Sequence, residues 1–129
     1  MPLVSEHMTR SLLTIGANAT LGEAAAKMAE RGVGAVVVLE GEKIVAILTE
    51  RDVMKAVAAG QDGSASVIDW MTRHPDTIEP DDTTDHAASL MIHGGFRHLP
   101  VVEDGKVVGM VSIRDLMKVA LDDRSPRGV

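Results

Sequence analysis

The sequence predicts an α+β fold of two β-α-β-β-α repeats, on three observations. Slid against itself by 63 positions, the chain aligns Val4 to Val57 with Val67 to Ala120 without a gap, and about a third of the pairs are identical. Each copy holds two short apolar runs joined by a turn, which read as a hairpin buried on both faces. Each copy also holds two stretches whose apolar residues recur with a period of 3.6, which read as helices. Two copies with a mixed pattern inside each argue against a solenoid. They favour a pair related by a pseudo-twofold axis, with the sheets packed against each other and the helices outside.

In the first copy, Thr14-Ile15 is a short extended stretch, and Thr20 opens a helix with Leu21, Ala24, Ala25, Met28 and Ala29 on one face. Thr20 and Glu23 form a capping box, and Gly32 is placed to end the helix in a left-handed conformation. Ala35 to Leu39 and Ile44 to Leu48 are the two strands, and a helix over about Glu50 to Ala59 turns Val53, Met54, Val57 and Ala58 inward. The second copy repeats this with Thr77-Ile78, a helix from about Thr83 to His93, strands Leu99 to Glu103 and Val107 to Val111, and a helix to about Asp122. Asp104-Gly105 is the stronger of the two hairpin turn signals. The expected boundaries are repeat one over 4–59, a polar Gly/Ser linker over 60–66, repeat two over 67–122 and a loose tail over 123–129. A copy of this size is marginal alone, so the two are expected to share burial.

Composition removes several classes of function. The formal charge is -6, which argues against nucleic-acid binding, because affinity for a phosphate backbone needs clustered Lys and Arg. The only aromatics are Trp70 and Phe96, so stacking platforms for single strands are not expected, and Val, Ile, Leu, Ala and Met must fill the core. There is no cysteine, which excludes disulfides, thiolate metal sites and cysteine nucleophiles. No apolar run reaches the roughly 18 residues of a membrane span, and Met1 to Arg10 lacks the apolar stretch of a signal peptide. The expectation is a soluble cytoplasmic protein.

The duplicated chemistry lies where a strand hands over to a helix. Thr49-Glu50-Arg51-Asp52 follows Ile44 to Leu48, and Ser112-Ile113-Arg114-Asp115 follows Val107 to Val111. A hydroxyl residue three before a carboxylate is an ordinary helix cap. It is also an anion site, since a helix start presents free N–H groups and a positive dipole end. A carboxylate accepts two hydrogen bonds from vicinal sugar hydroxyls, and arginine grips phosphate with a bidentate fork.

With Met71-Thr72, Gly95-Phe96-Arg97-His98-Leu99-Pro100-Val101-Val102, Asp104-Gly105-Lys106 and Gly109-Met110-Val111-Ser112-Ile113-Arg114-Asp115-Leu116, the chain resembles a tandem pair of CBS domains, the Bateman module, over nearly its whole length. No catalytic or DNA-binding domain is left over, so it looks like a stand-alone module. The resemblance implies a regulatory sensor of adenosine-containing ligands, namely AMP, ADP or ATP, and in some members NAD or S-adenosylmethionine, held in clefts between the repeats. It gives Asp52 and Asp115 a ribose-binding role and turns Thr49, Arg51, Ser112 and Arg114 toward phosphates. It pairs Thr49, Arg51 and Asp52 with His74, Thr77, Phe96, Arg97 and His98. It pairs Ser112, Arg114 and Asp115 with Ser11, Thr14, Val33, Gly34 and Ala35. Because Phe96-Arg97-His98 stands where the first copy has Val33-Gly34-Ala35, tighter binding is expected around Asp52. The first copy departs from the family's Leu-Pro before the central strand, having Val36-Val37.

No nucleophile elbow, P-loop or carboxylate dyad is visible, so no catalytic residue and no enzyme is expected. His7, His74, His86 and His93 have no metal-site spacing and read as surface residues, with no metal expected. Trp70 reads as a packing or dimer-contact residue. Apolar residues on the last helix of each copy, Val53 to Ala58 and Leu116 to Leu121, point to a homodimer. The partner that reads the ligand state is unknown. The alternative function is a ligand-independent module for protein interaction or oligomerisation.

Overall fold

The computed structural model describes residues 2–123, so Arg124–Val129, read from the sequence as part of a loose tail, lie outside the described residues. The described residues form two compact units, one over Leu12–Pro75 and the other over 76–123 together with 2–11. The N-terminal segment thus packs on the second repeat, and the segment that opens the second repeat packs on the first.

In the Leu12–Pro75 unit the order is β1 (Thr14–Gly16), α1 (Leu21–Arg31), β2 (Ala35–Glu40), β3 (Lys43–Thr49), α2 (Glu50–Ala58), the single turn α3 (Val67–Trp70) and β4 (Thr72–Arg73). The sheet runs β1-β2-β3-β4, with β1 parallel to β2 and the other neighbours antiparallel. Val36, Val37 and Val38 are fully buried, as an uninterrupted apolar strand requires. Thr20 caps α1 by accepting from the Glu23 amide at 3.2 Å. Gly32 ends it with φ 65°, a left-handed value that costs glycine nothing, while the Val33 amide donates to Met28 O at 3.0 Å. The core is Ile15, Leu21, Ala24, Met28, Val36, Val38, Ala46, Leu48, Ala56 and Val67, with Trp70 packed against it.

The second unit holds α4 (Thr84–Gly94), β5 (His98–Glu103), β6 (Lys106–Ser112) and α5 (Ile113–Asp123). The two strands pair antiparallel through a turn in which Asp104 has φ 53° and Gly105 φ 79°, two positive angles of the kind the Asp-Gly signal implies. Thr77-Ile78 is reduced to one parallel bridge, Ile78 with Val101, and Thr9 bridges Met110 on the far side. Val4, fully buried, joins Ile78, Ala87, Met91, Leu99, Val101, Val111 and Leu116 in this core.

One expectation is corrected. Met54 and Val57 are each 63% exposed and Ala58 is exposed, so they do not face inward. Asp52 and Ala56 are the buried residues of α2, with Val53 half-buried beside them. At 100° per residue, a helix that turns position 52 inward to cap its own start carries 56 inward as well and rotates 54, 57 and 58 out. In α5, likewise, Leu116 and Val119 are buried while Met117 and Leu121 are exposed.

Candidate functional site

Both duplicated motifs form helix caps. The Thr49 amide donates to Asp52 Oδ2 at 3.0 Å and the Asp52 amide donates to Thr49 Oγ1 at 3.3 Å. In the other unit the Ser112 amide donates to Asp115 Oδ2 at 2.9 Å, the Ser112 hydroxyl donates to the same oxygen at 3.0 Å, and the Asp115 amide donates to Ser112 Oγ at 3.2 Å. The cap and the anion site remain compatible, because capping uses one carboxylate oxygen and leaves the other for a further donor. Arg51 and Arg114, in the first turn of each helix, are exposed.

The strand openings adjoin the helix start of their own repeat. Ala35 lies opposite Thr49 in the β2-β3 ladder, and the Glu50 amide donates to Gly34 O at 3.0 Å. A β-carbon at Gly34 would meet the Glu50 carboxylate at 3.0 Å, so the Glu50 side chain lies across that glycine. In the second unit His98 lies opposite Ser112, and the Ile113 amide donates to Arg97 O at 2.9 Å. Arg97 is exposed, while His98 and Phe96 are half-buried. Among the remaining candidates, Val33 is exposed at the end of α1, and Thr14 is half-buried on β1 opposite Val37. His74 is exposed just after β4 with φ 50°. Thr77 is exposed beside the Ile78 bridge, and Ser11 is exposed two residues beyond the Thr9 bridge.

The structure adds a residue that the sequence reading named without giving it a role. Thr72 on β4 donates from Oγ1 to Asp52, 3.2 Å from both Oδ1 and Oδ2. Its signal was in the sequence as the second residue of the repeated Met-Thr-Arg triplet, Met8-Thr9-Arg10 and Met71-Thr72-Arg73. Nothing in that triplet alone points at a carboxylate 20 residues earlier. The chemistry assembled at each helix start is thus an acceptor carboxylate, a hydroxyl and an exposed first-turn arginine, a set suited to holding a polyol joined to an anion. No helix among the described residues is long and apolar enough to cross a membrane.

A CBS domain family model matches residues 4–59 and again 67–122. The chain is 38% identical over 121 residues to a 17.7 kDa protein of Acidianus ambivalens, covering 92% of this chain and 73% of that one. It spans 61% and 43% of the length of two other relatives. Among solved structures it is similar to a CBS domain protein from Pyrobaculum aerophilum complexed with AMP, at 30% identity and a TM-score of 0.83, covering 92% of this chain and 98% of the other. It is also similar to the CBS domain pair of protein MJ0100 in complex with 5′-methylthioadenosine and S-adenosyl-L-methionine, at 26% identity and a TM-score of 0.90, covering 95% and 98%. With two copies of the family pattern covering most of its length and the α+β architecture of those structures, this chain belongs to the CBS domain family as a tandem pair.

Proposed function

We propose that this chain is a regulatory module that binds an adenosine-containing ligand, of the AMP, ADP, ATP, NAD or S-adenosylmethionine type, and catalyses no reaction. The observation that carries the proposal is the duplicated carboxylate, Asp52 and Asp115, each fixed at a helix start in a chain similar to pairs solved with AMP and with methylthioadenosine. Asp52 and Asp115 accept from the ribose hydroxyls, and Thr49, Arg51, Ser112 and Arg114 serve the phosphates. His74, Thr77, Phe96, Arg97 and His98 serve the ligand on Asp52, and Ser11, Thr14, Val33, Gly34 and Ala35 serve the ligand on Asp115. The ligand biases the chain between conformations, to the extent that its affinity differs between them, and a regulated protein reads the change.

A thermal-shift panel of AMP, ADP, ATP, NAD, NADH and S-adenosylmethionine on the wild type, Asp52→Ala and Asp115→Ala tests this. A true ligand at about 100 times Kd adds about 2.7 kcal/mol of stability. No shift with any of the six would remove the reading. A second reading, a ligand-independent interaction module acting as a homodimer, draws on Met54, Val57, Met117 and Leu121, apolar side chains that are each more than half exposed on α2 and α5. Sedimentation equilibrium tests the dimer, and Met54→Lys with Met117→Lys is expected to weaken it.

A further inference from the structure

The two helix starts are duplicates in sequence but differ in what their carboxylates touch. Thr72 Oγ1 is 3.2 Å from both oxygens of Asp52, so its hydroxyl lies across the open fork of the carboxylate. That fork is where a pair of vicinal hydroxyls would bridge. Thr9 holds the same place in the other unit, since Thr9 bridges Met110 as Thr72 pairs with Ile47. The Thr9 backbone pairs with Met110 at 2.8 and 2.9 Å, but its hydroxyl makes no hydrogen bond to Asp115 among the described residues. Among the described residues, the bonds to Asp115 fall on Oδ2, which leaves Oδ1 as the acceptor for a ligand. Burial follows the same division: Asp52 is 7% exposed, whereas Asp115 is half-buried.

We infer that Thr72 is an internal competitor for the Asp52 carboxylate, a positioning residue whose hydroxyl an incoming ribose must displace. Among the described residues Asp115 has no such competitor, and it fills first. This rests on the adenosine reading above and deepens it by assigning the order in which the two carboxylates are used. Counting Arg97 and His98 as phosphate donors ranks Asp52 first, so the measured order separates acceptor availability from phosphate grip.

Isothermal titration of AMP into Asp115→Ala, where Asp52 is the remaining acceptor, and into the same protein carrying Thr72→Val reads the competition directly. Loss of the hydroxyl is expected to tighten AMP binding about fivefold, the equivalent of one net hydrogen bond of about 1 kcal/mol. Thr9→Val in an otherwise wild-type chain leaves AMP binding unchanged. Without ligand, Thr72→Val lowers the melting temperature by a few degrees, as expected for about 1 kcal/mol in a domain of this size, and Thr9→Val does not. Unchanged or weaker AMP binding on loss of the Thr72 hydroxyl, or a Thr72→Val protein that melts like wild type, overturns the inference and leaves the adenosine reading standing. A wild type that binds none of AMP, ATP, NAD and S-adenosylmethionine overturns both.

Discussion

The ring of Phe96 folds back over Gly94, so that a β-carbon at position 94 would meet Cδ2 of the ring at 2.6 Å and Cζ at 2.9 Å. Gly94 is the last residue of α4, Gly95 follows with φ 72°, and Phe96 packs against the core of its unit. An exposed helical Gly→Ala change ordinarily stabilises by about 1 kcal/mol, because glycine loses more backbone freedom on folding. Here the added methyl must push the ring off the core edge, and overpacking of that kind costs about 1–3 kcal/mol. Gly94→Ala is therefore expected to destabilise by about 1 kcal/mol net, and Phe96→Leu in the same chain is expected to recover most of it. A thermal melt in which Gly94→Ala gains stability would show that the ring moves away freely.

Val4 gives a test of which core the N-terminal segment joins. It is fully buried among residues of the second repeat, and the adjoining chain is tied there by the Val4 amide donating to Asp82 O at 2.8 Å and the Thr9 amide donating to Met110 O at 2.8 Å. A β-carbon at Gly109 would meet Met8 Sδ at 2.6 Å, so the segment lies close across β6. Val4→Ala is expected to cost about 2 kcal/mol, from lost transfer energy and the cavity left behind. Hydrogen exchange should place the loss in amides from Ile78 to Val119. Equal loss of protection over Ile15 to Ala56 would refute that placement.

What the sequence made legible follows from how local each cause is. The strands were readable because Ala35 to Leu39 and Ile44 to Leu48 are continuous apolar runs, and α1 because Thr20 and Gly32 mark its two ends within the segment itself. The caps at Thr49 and Ser112 were readable for the same reason, since partner and partner are three residues apart. The exchange of opening segments was not readable: Val4 and Val67 are equivalent in the repeat, and self-alignment says nothing about which core each one enters. The inward face of α2 was misread because Met54 and Val57 are more apolar than Asp52, yet Asp52 is the residue that capping turns inside. Thr72 gained no role because its partner is 20 residues away and is brought near only by the pairing of β4 with β3.

In the linker, Asp62 is made more acidic by its neighbour Ser64. The Ser64 hydroxyl donates to Asp62 Oδ1 at 2.6 Å and the Ser64 amide donates to the same oxygen at 2.9 Å, and these bonds hold the Asp62 carboxyl below its ordinary value of 3.8. A carboxyl depressed in the folded state adds stability that is present above 3.8 and is lost as pH falls through its lower folded value. Next to it, Gly63 O accepts from the Gly22 amide at 2.9 Å, tying the linker to the first turn of α1. Ser64→Ala is expected to return the Asp62 titration toward 3.8, followed by the carboxyl carbon shift in NMR. In the wild type, protection of the Gly22 amide should fall as pH drops below that range, after correction for intrinsic exchange. Titration of Asp62 at the same pH with and without the Ser64 hydroxyl would remove this account.

The inequality of the two carboxylates also sets how the binding variants must be read. Asp52→Ala removes a carboxylate only 7% exposed that accepts from both the Thr49 amide and the Thr72 hydroxyl, and loss of the two bonds costs about 2 kcal/mol. Asp115→Ala removes the acceptor for the Ser112 amide and hydroxyl at a half-buried position, where water replaces part of the loss, and should cost about 1 kcal/mol. Asp52→Asn keeps one carbonyl oxygen for the Thr49 amide and should fall between Asp52→Ala and wild type. Urea titrations of the three ligand-free variants check the order, and equal midpoints for Asp52→Ala and Asp115→Ala would contradict it. If the order holds, a ligand-induced shift in Asp52→Ala has to be measured from that variant's own lower baseline, because the residue proposed to hold a sugar there is also the one that caps the start of α2.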